Sequence, residues 1–266
     1  MKTHSIARIM EHFERRAPAA LSASWDNDGA LLVLHSTREE TVSRALTCLD
    51  VTDAAVDFAI GRGCDLIVSH HPFIFEPIKR VDSETDPQAR LLARMAAADI
   101  QCVALHTRLD CADGGLNSHL AALLHMRGIT PLDSPGEGLV KVGRIGELAA
   151  PTQAGELAKQ LAEALGAHEV LLTGQRGIVL RTAAIVTGSG KHFAADAYRA
   201  EADALITGEL AHETRLWCAA MGLCALEAGH RHTELPAAGI LAKWLGEIGL
   251  EALVFEGEPV SEMVRA

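Results

Sequence analysis

Apolar and polar positions along the chain alternate between a helical and a strand-like period. Ile6, Ile9 and Phe13 recur at helical spacing, and Pro18 closes that segment. ALLVL (30–34) and TVSRALTCLDV (41–51) read as strands, and AAVDFAIGRG (54–63) fits a helix ending in glycine. CDLIVSHH (64–71) is a buried-strand pattern that runs into two histidines. QARLLARMAAA (88–98) predicts a helix, QCVALHT (101–107) a strand and GLNSHLAALLHM (115–126) a helix. GITPLDSPGEG (128–138) is rich in Gly, Pro and Asp and reads as a linker between lobes. Beyond it, helices are predicted at 152–166, 192–201, 213–222 and 237–249, and strands at 168–173, 182–188, 203–208, 223–229 and 250–257. The alternation with short connections predicts an α/β fold.

In open α/β sheets, ligands collect beyond the carboxyl ends of strands. IVSHHP (67–72), VALHTRLD (103–110) and ALEAGHRHTE (225–234) put histidines and acids at three such ends. With 13 histidines in the chain, about 0.6 adjacent pairs arise by chance, so the pair alone says little. Histidine followed four residues later by Asp or Glu is expected about 1.7 times. It occurs at His35/Glu39, His106/Asp110, His192/Asp196 and His230/Glu234. Neighbouring side chains on a strand point to opposite faces, so His70 and His71 can serve two ions only by splaying at a strand end. The alternative is a pair of polar caps. Asp110 offers two oxygens, enough to bridge two cations. His106 is a ligand, an orienting residue behind a ligand, or a hydrogen-bonded core residue. His230 and Glu234 share one face if a helix begins there, and Pro236 suits a first turn. His232 points elsewhere. Together His70, His71, Asp110, His230 and Glu234 form a mixed nitrogen and oxygen set. Such a set suits two borderline divalent ions: Zn, Mn, Fe, Co or Ni. No cysteine joins it, which disfavours a structural thiolate zinc site.

Composition narrows the classes. The 266 residues are 48 % apolar but only 4 % aromatic, so the core is aliphatic. No apolar run is long enough to span a bilayer, and the N-terminus lacks a signal-peptide core. The expected location is therefore the cytoplasm, with no membrane partner. Cys48, Cys64, Cys102, Cys111, Cys218 and Cys224 form no C-x-x-C pair and read as buried thiols in a reducing compartment. A net charge of −11 argues against non-specific nucleic-acid binding. Three other segments carry weaker signals. GSGKH (188–192) is a phosphate-holding loop or, more simply, a tight turn. In TGELAH (207–212), Glu209 and His212 line a pocket or start the next helix. WDNDG (25–29) reads as a turn with polar caps, with Trp25 packed.

The ordered set SHHP, HTRLD and GHRHTE resembles the Nif-three-like family of dinuclear metal-binding proteins, many labelled GTP cyclohydrolase I type two homologues. WDNDG is similar to that family's W-D-N-x-G, and HHPFIF to its H-H-P-[LF]-[IL]-F. CADGGLN follows HTRLD as Gly-Gly-x-Asn does there, and TGE and GH-x-x-TE come in order. Lys191 stands where many members have a second glycine after Gly-Ser-Gly. The resemblance implies metal ligands at His70, His71, Asp110, His230 and Glu234. It implies two intertwined α/β lobes with mixed sheets, 1–128 plus 231–266 and 129–230, with the metal site in the cleft between them. It also implies a homo-oligomer, commonly a hexamer of paired trimers, and no central insertion domain.

By that resemblance the expected activity is metal-dependent hydrolysis of a purine nucleotide such as GTP, with release of formate. His106, Glu209 and His212 are the candidates for moving protons. Two other functions compete. One is a non-catalytic metal-binding or regulatory protein; the other is a phosphoesterase, since paired ions also stabilise in-line displacement.

Overall fold

A computed structural model describes residues 3–134 and 141–261. The chain divides into two compact units. One takes Met1–Pro18, Asp26–His106 and Ala237–Ala266; the other takes Ala19–Trp25 and Thr107–Pro236.

The first unit runs α1 (Ile6–Arg16), β1 (Gly29–Leu32), β2 (Arg44–Cys48), α2 (Asp53–Arg62), β3 (Leu66–Ser69), α3 (Pro87–Ala97) and β4 (Gln101–Ala104). The second runs α4 (Thr107–Cys111), α5 (Leu116–Leu123), β5 (Arg127–Pro131), β6 (Arg144–Gln153), α6 (Ala154–Leu165), β7 (Leu171–Thr173), β8 (Val179–Ser189), α7 (Ala194–Arg199), β9 (Ala204–Glu209), α8 (His212–Met221), β10 (Cys224–Glu227) and α9 (His230–Glu234). Then α10 (Pro236–Glu247) and β11 (Glu251–Phe255) return to the first unit.

In the first unit the sheet order is β1-β4-β3-β2-β11. Only β1 is antiparallel; the rest pair in parallel. Every residue of β3 and β4 is buried, as expected of parallel strands covered on both faces. The register sets Leu46, Ile67 and Cys102 side by side. Val56 and Ala59 of α2 and Met95 of α3 share a core with that row. Helix α2 starts where the Thr52 hydroxyl accepts the Ala55 amide at 3.1 Å and stops at Gly63 in the left-handed conformation. Thr52→Ala removes that cap, and the urea midpoint should fall by the equivalent of about 1 kcal/mol. An unchanged midpoint would show that the cap is replaced by solvent at no cost.

In the second unit the order is β5-β6-β8-β9-β10-β7, with only the β8–β9 and β9–β10 pairs parallel. Leu157 and Leu161 of α6 join Ile185, Ile206 and Leu226 in one core on one side of this sheet. Val186, Leu205 and Ala225 form a second core with Ala197 of α7 and Cys218 of α8. The fold is thus α/β with two mixed sheets. No helix of the described residues is long and apolar enough to cross a membrane.

Some segments differ from the sequence pattern. Residues 128–131 of the expected linker belong to β5, which pairs antiparallel with β6; its residues 135–138 lie outside the described ones. Strand β6 itself was not predicted. Half of its residues are exposed, and Pro151 falls where the ladder with β8 shifts register between Glu147 and Thr152. Such a strand shows no apolar alternation. The compact units divide after His106 and after Pro236, where the pattern and resemblance suggest 128 and 230. The cause is packing: Leu120, Ala121, Leu124 and Met126 belong to the core of the second sheet.

Candidate metal centre

The first unit gathers three imidazoles at the carboxyl edge of its sheet. The register aligns Cys48, Ser69 and Ala104, the last residues of β2, β3 and β4. Two residues beyond each stand Asp50, His71 and His106; one beyond Ser69 stands His70. Because β3 ends at Ser69, both adjacent histidines escape strand alternation and lie with ring centroids 5.0 Å apart. His106 packs edge-on to both, at 5.2 and 5.4 Å. Each of the three rings offers a nitrogen within 4.8 Å of the other two.

The opposite nitrogens are all engaged. His71 Nδ1 lies 2.8 Å from Asp50 Oδ1, His106 Nδ1 lies 2.8 Å from Asp26 Oδ1, and His70 Nδ1 lies 2.9 Å from the Leu105 carbonyl oxygen. Carboxylates and carbonyls only accept, so each Nδ1 donates its proton and the neutral ring carries its lone pair on Nε2. This is the arrangement that histidines use when Nε2 binds a metal and an outer oxygen fixes the tautomer.

The second unit builds another cluster on three glycines. Gly188, Gly208 and Gly229 stand at the carboxyl ends of β8, β9 and β10, and α9 begins immediately after Gly229. A β-carbon on Gly208 would come within 2.8 Å of the His230 α-carbon, so only glycine lets α9 approach this closely. The Gly188 amide donates to the Thr233 hydroxyl at 3.0 Å, which pins α9 to β8. One helical turn then brings His230 Nε2 to 2.9 Å from Glu234 Oε2, while Nδ1 faces Glu209 Oε1 at 3.1 Å. The Glu234 hydrogen bond, opposed by burial and reinforced by Glu209, raises the His230 pKa to about 9. Beside this cluster, buried Glu227 accepts the Leu210 amide at 2.7 Å and pairs with Arg215, fixing the segment that follows Glu209.

The structure thus groups His70, His71 and His106 in one unit, and Glu209, His230 and Glu234 in the other. Asp110 is buried on α4 of the second unit, with its backbone carbonyl held by Asn117 at 3.2 Å. His212 opens α8. GSGKH is a turn: the Phe193 amide closes on the Gly190 carbonyl at 2.9 Å, and Lys191 faces Glu213. Trp25, expected to pack, is half exposed; the residue of WDNDG that packs is Asp26, whose side chain is fully covered against His106. His35 pairs with Asp99, away from its i+4 acid. Sequence reasoning missed Asp50 and the roles of Asp26, Gly188 and Gly208. The signal lay in register: Asp50 stands as far past β2 as His71 past β3.

Comparison with known proteins places these residues in context. The family description Duf34/NIF3 (NGG1p interacting factor 3) matches residues 4–259. A GTP cyclohydrolase 1 type 2 homolog of Clostridium perfringens is 31% identical over 237 residues, covering 89% of this chain and 88% of that protein. A NIF3 homolog of Schizosaccharomyces pombe is 32% identical over 227 residues, covering 80% and 79%. The crystal structure of a Bacillus cereus protein related to NIF3 superposes with a TM-score of 0.86 over 100% of both chains at 19% identity, a likeness of fold.

Proposed function

The chain belongs to the Duf34/NIF3 family, and from that premise we propose that it is a dinuclear metal-dependent hydrolase acting on a purine nucleotide, in the manner of a GTP cyclohydrolase. The observation that carries the proposal is the trio His70, His71 and His106 with every Nδ1 committed to an oxygen. Three imidazoles gathered within 4.8 Å of one another in one tautomer suit a divalent cation and a group beside it that moves protons.

The donor chemistry fits. The first unit supplies nitrogen donors, and the second supplies the Glu234 carboxylate, whose Oε2 lies 2.9 Å from His230 Nε2. The proposed ligands are His70, His71, Asp110, His230 and Glu234. Their mixed character favours Zn, Mn, Fe, Co or Ni over Mg or Ca. When bound, such ions supply Lewis acidity and a lowered pKa for water. The remaining work falls to the chain. Glu209 holds His230 through Nδ1, Asp50 holds His71, and His106, Glu209 and His212 are the groups proposed to move protons. Water adds to the guanine imidazole ring, C8 leaves as formate, and the remainder becomes a dihydroneopterin triphosphate. The substrate class comes from names that relatives bear, such as the Clostridium perfringens protein. We further place the protein in the cytoplasm, as a homohexamer; six buried free thiols suit a reducing compartment.

The test is formate release from GTP by protein loaded in turn with Mn, Zn and Fe. Formate with one of these metals is expected. Protein that holds two ions yet releases inorganic phosphate instead would replace this reaction with phosphoesterase chemistry.

A further inference from the structure

We propose that a cleft between α6 and the β7–β8 loop of the second unit binds a small organic oxyanion, a phosphate or carboxylate head on a short apolar body, through Arg176, Lys159 and His168. The site uses none of the residues proposed above as metal ligands, so it stands or falls separately from them.

The cleft has a volume of about 380 Å³, a size that suits a small molecule. Helix α6 stops at Gly166 in the left-handed conformation, and the chain passes through His168 and Glu169 into β7. The loop after β7 then brings Arg176 back over the first turn of α6. Backbone bonds fix it there: the Gly155 amide donates to the Arg176 carbonyl at 2.9 Å, and the Ala154 amide to the Ile178 carbonyl at 2.9 Å. The Arg176 side chain folds across Gly155. A β-carbon at 155 would stand 3.3 Å from Arg176 Nε, so the missing side chain leaves room for that path.

The chain carries a net charge of −11, which repels anions except where local cations outweigh it. Lys159, His168 and Arg176 line this cleft with a single carboxylate, Glu169. Lys159 is shared with Glu156 at 3.2 Å, an exposed pair that opens at little cost. Arg176 and His168 have no carboxylate at ion-pair distance among the described residues. An unpaired surface arginine is ordinary. Arg176 differs because its backbone is anchored, its side chain crosses a glycine, and two more basic groups share the same cleft. Its guanidinium fork matches two oxygens of one phosphate or carboxylate. Ala158, Val170 and Leu172 form an apolar floor backed by the core of the second sheet. A bare inorganic anion leaves that floor wet; an apolar body covers it.

The experiment uses the full chain, freed of metal by chelation so that no divalent ion holds the probe, and labelled with 15N at arginine. Phenyl phosphate and benzoate test the two heads, and inorganic phosphate tests a head alone. Affinity is read by calorimetry and the site by the Arg176 Nε resonance. At least one aromatic probe should bind more tightly than inorganic phosphate, move that resonance, and weaken with added salt, since all three basic side chains are exposed. The tighter of the two names the head. Arg176→Gln should lower affinity about tenfold, the loss of a charge-assisted contact. It keeps the backbone carbonyl that accepts the Gly155 amide, so its melting temperature should be unchanged. Lys159→Gln should cost less, because Glu156 already competes for that side chain. Equal affinity of wild type and Arg176→Gln would overturn the site, as would no binding of either aromatic probe at millimolar concentration. Inorganic phosphate binding as tightly as both would overturn the organic class of ligand.

Discussion

Asp110→Ala is expected to abolish formate release and to remove at least one of two bound ions, while the protein remains folded. The carboxylate is buried on α4, and among the proposed ligands it has the two oxygens needed to bridge two cations. Its backbone is held by Asn117. Asn117 donates to the Asp110 carbonyl at 3.2 Å and to the Val142 carbonyl at 2.9 Å, and its side-chain oxygen accepts the Thr187 amide at 2.8 Å. Asn117 thus ties α4 to β8 and to the segment that leads into β6. The variant keeps this brace, so the metal-free protein should still melt in one cooperative transition. Activity, metal content and melting curves of both proteins check all three parts. Full turnover by the variant would refute the ligand role.

Gly188 and Gly208 should separate metal affinity from stability. An alanine methyl at 208 meets backbone: the His230 α-carbon lies 2.8 Å away, and neither β9 nor α9 can yield without moving the other. Gly208→Ala should cost about 3 kcal/mol, the upper end of overpacking penalties. A methyl at 188 meets the Glu234 carboxylate, the far end of a flexible side chain. Gly188→Ala should therefore cost only about 1–2 kcal/mol, from its left-handed φ of 66°. Displacing the carboxylate should nonetheless weaken cation binding by about 10–100-fold, the range seen when the surroundings of a ligand are disturbed. Urea midpoints and chelator competition on the two variants give the comparison. Equal losses of stability, or unchanged metal affinity in Gly188→Ala, would show that α9 tolerates the methyl by moving.

Much of the site was legible in the sequence because it sits where strands stop. Three apolar residues and a serine followed by His-His-Pro announce both the burial of β3 and its end, and Leu66–Ser69 is where the strand lies. The i+4 pair His230/Glu234 fitted a helix start, which Gly229 provides with its φ of 90°. What the pattern hid depends on neighbours in space. Asp50 and Asp26 are ordinary turn residues until register sets one beside His71 and the other beside His106. Strand β6 hid for a different reason: it is held by its ladders to β5 and β8 while half of its residues are exposed. The helix at 115–126 gave its own position correctly but not its allegiance, since an amphipathic face does not say which sheet it covers.

The most direct measurement is the number of divalent ions retained per chain. Purified protein is loaded with zinc or manganese, freed of loosely bound metal, and measured by native mass spectrometry beside elemental analysis. Two ions per chain are predicted. One ion would contradict a dinuclear centre, and none would contradict the reading of these histidines and carboxylates as metal ligands.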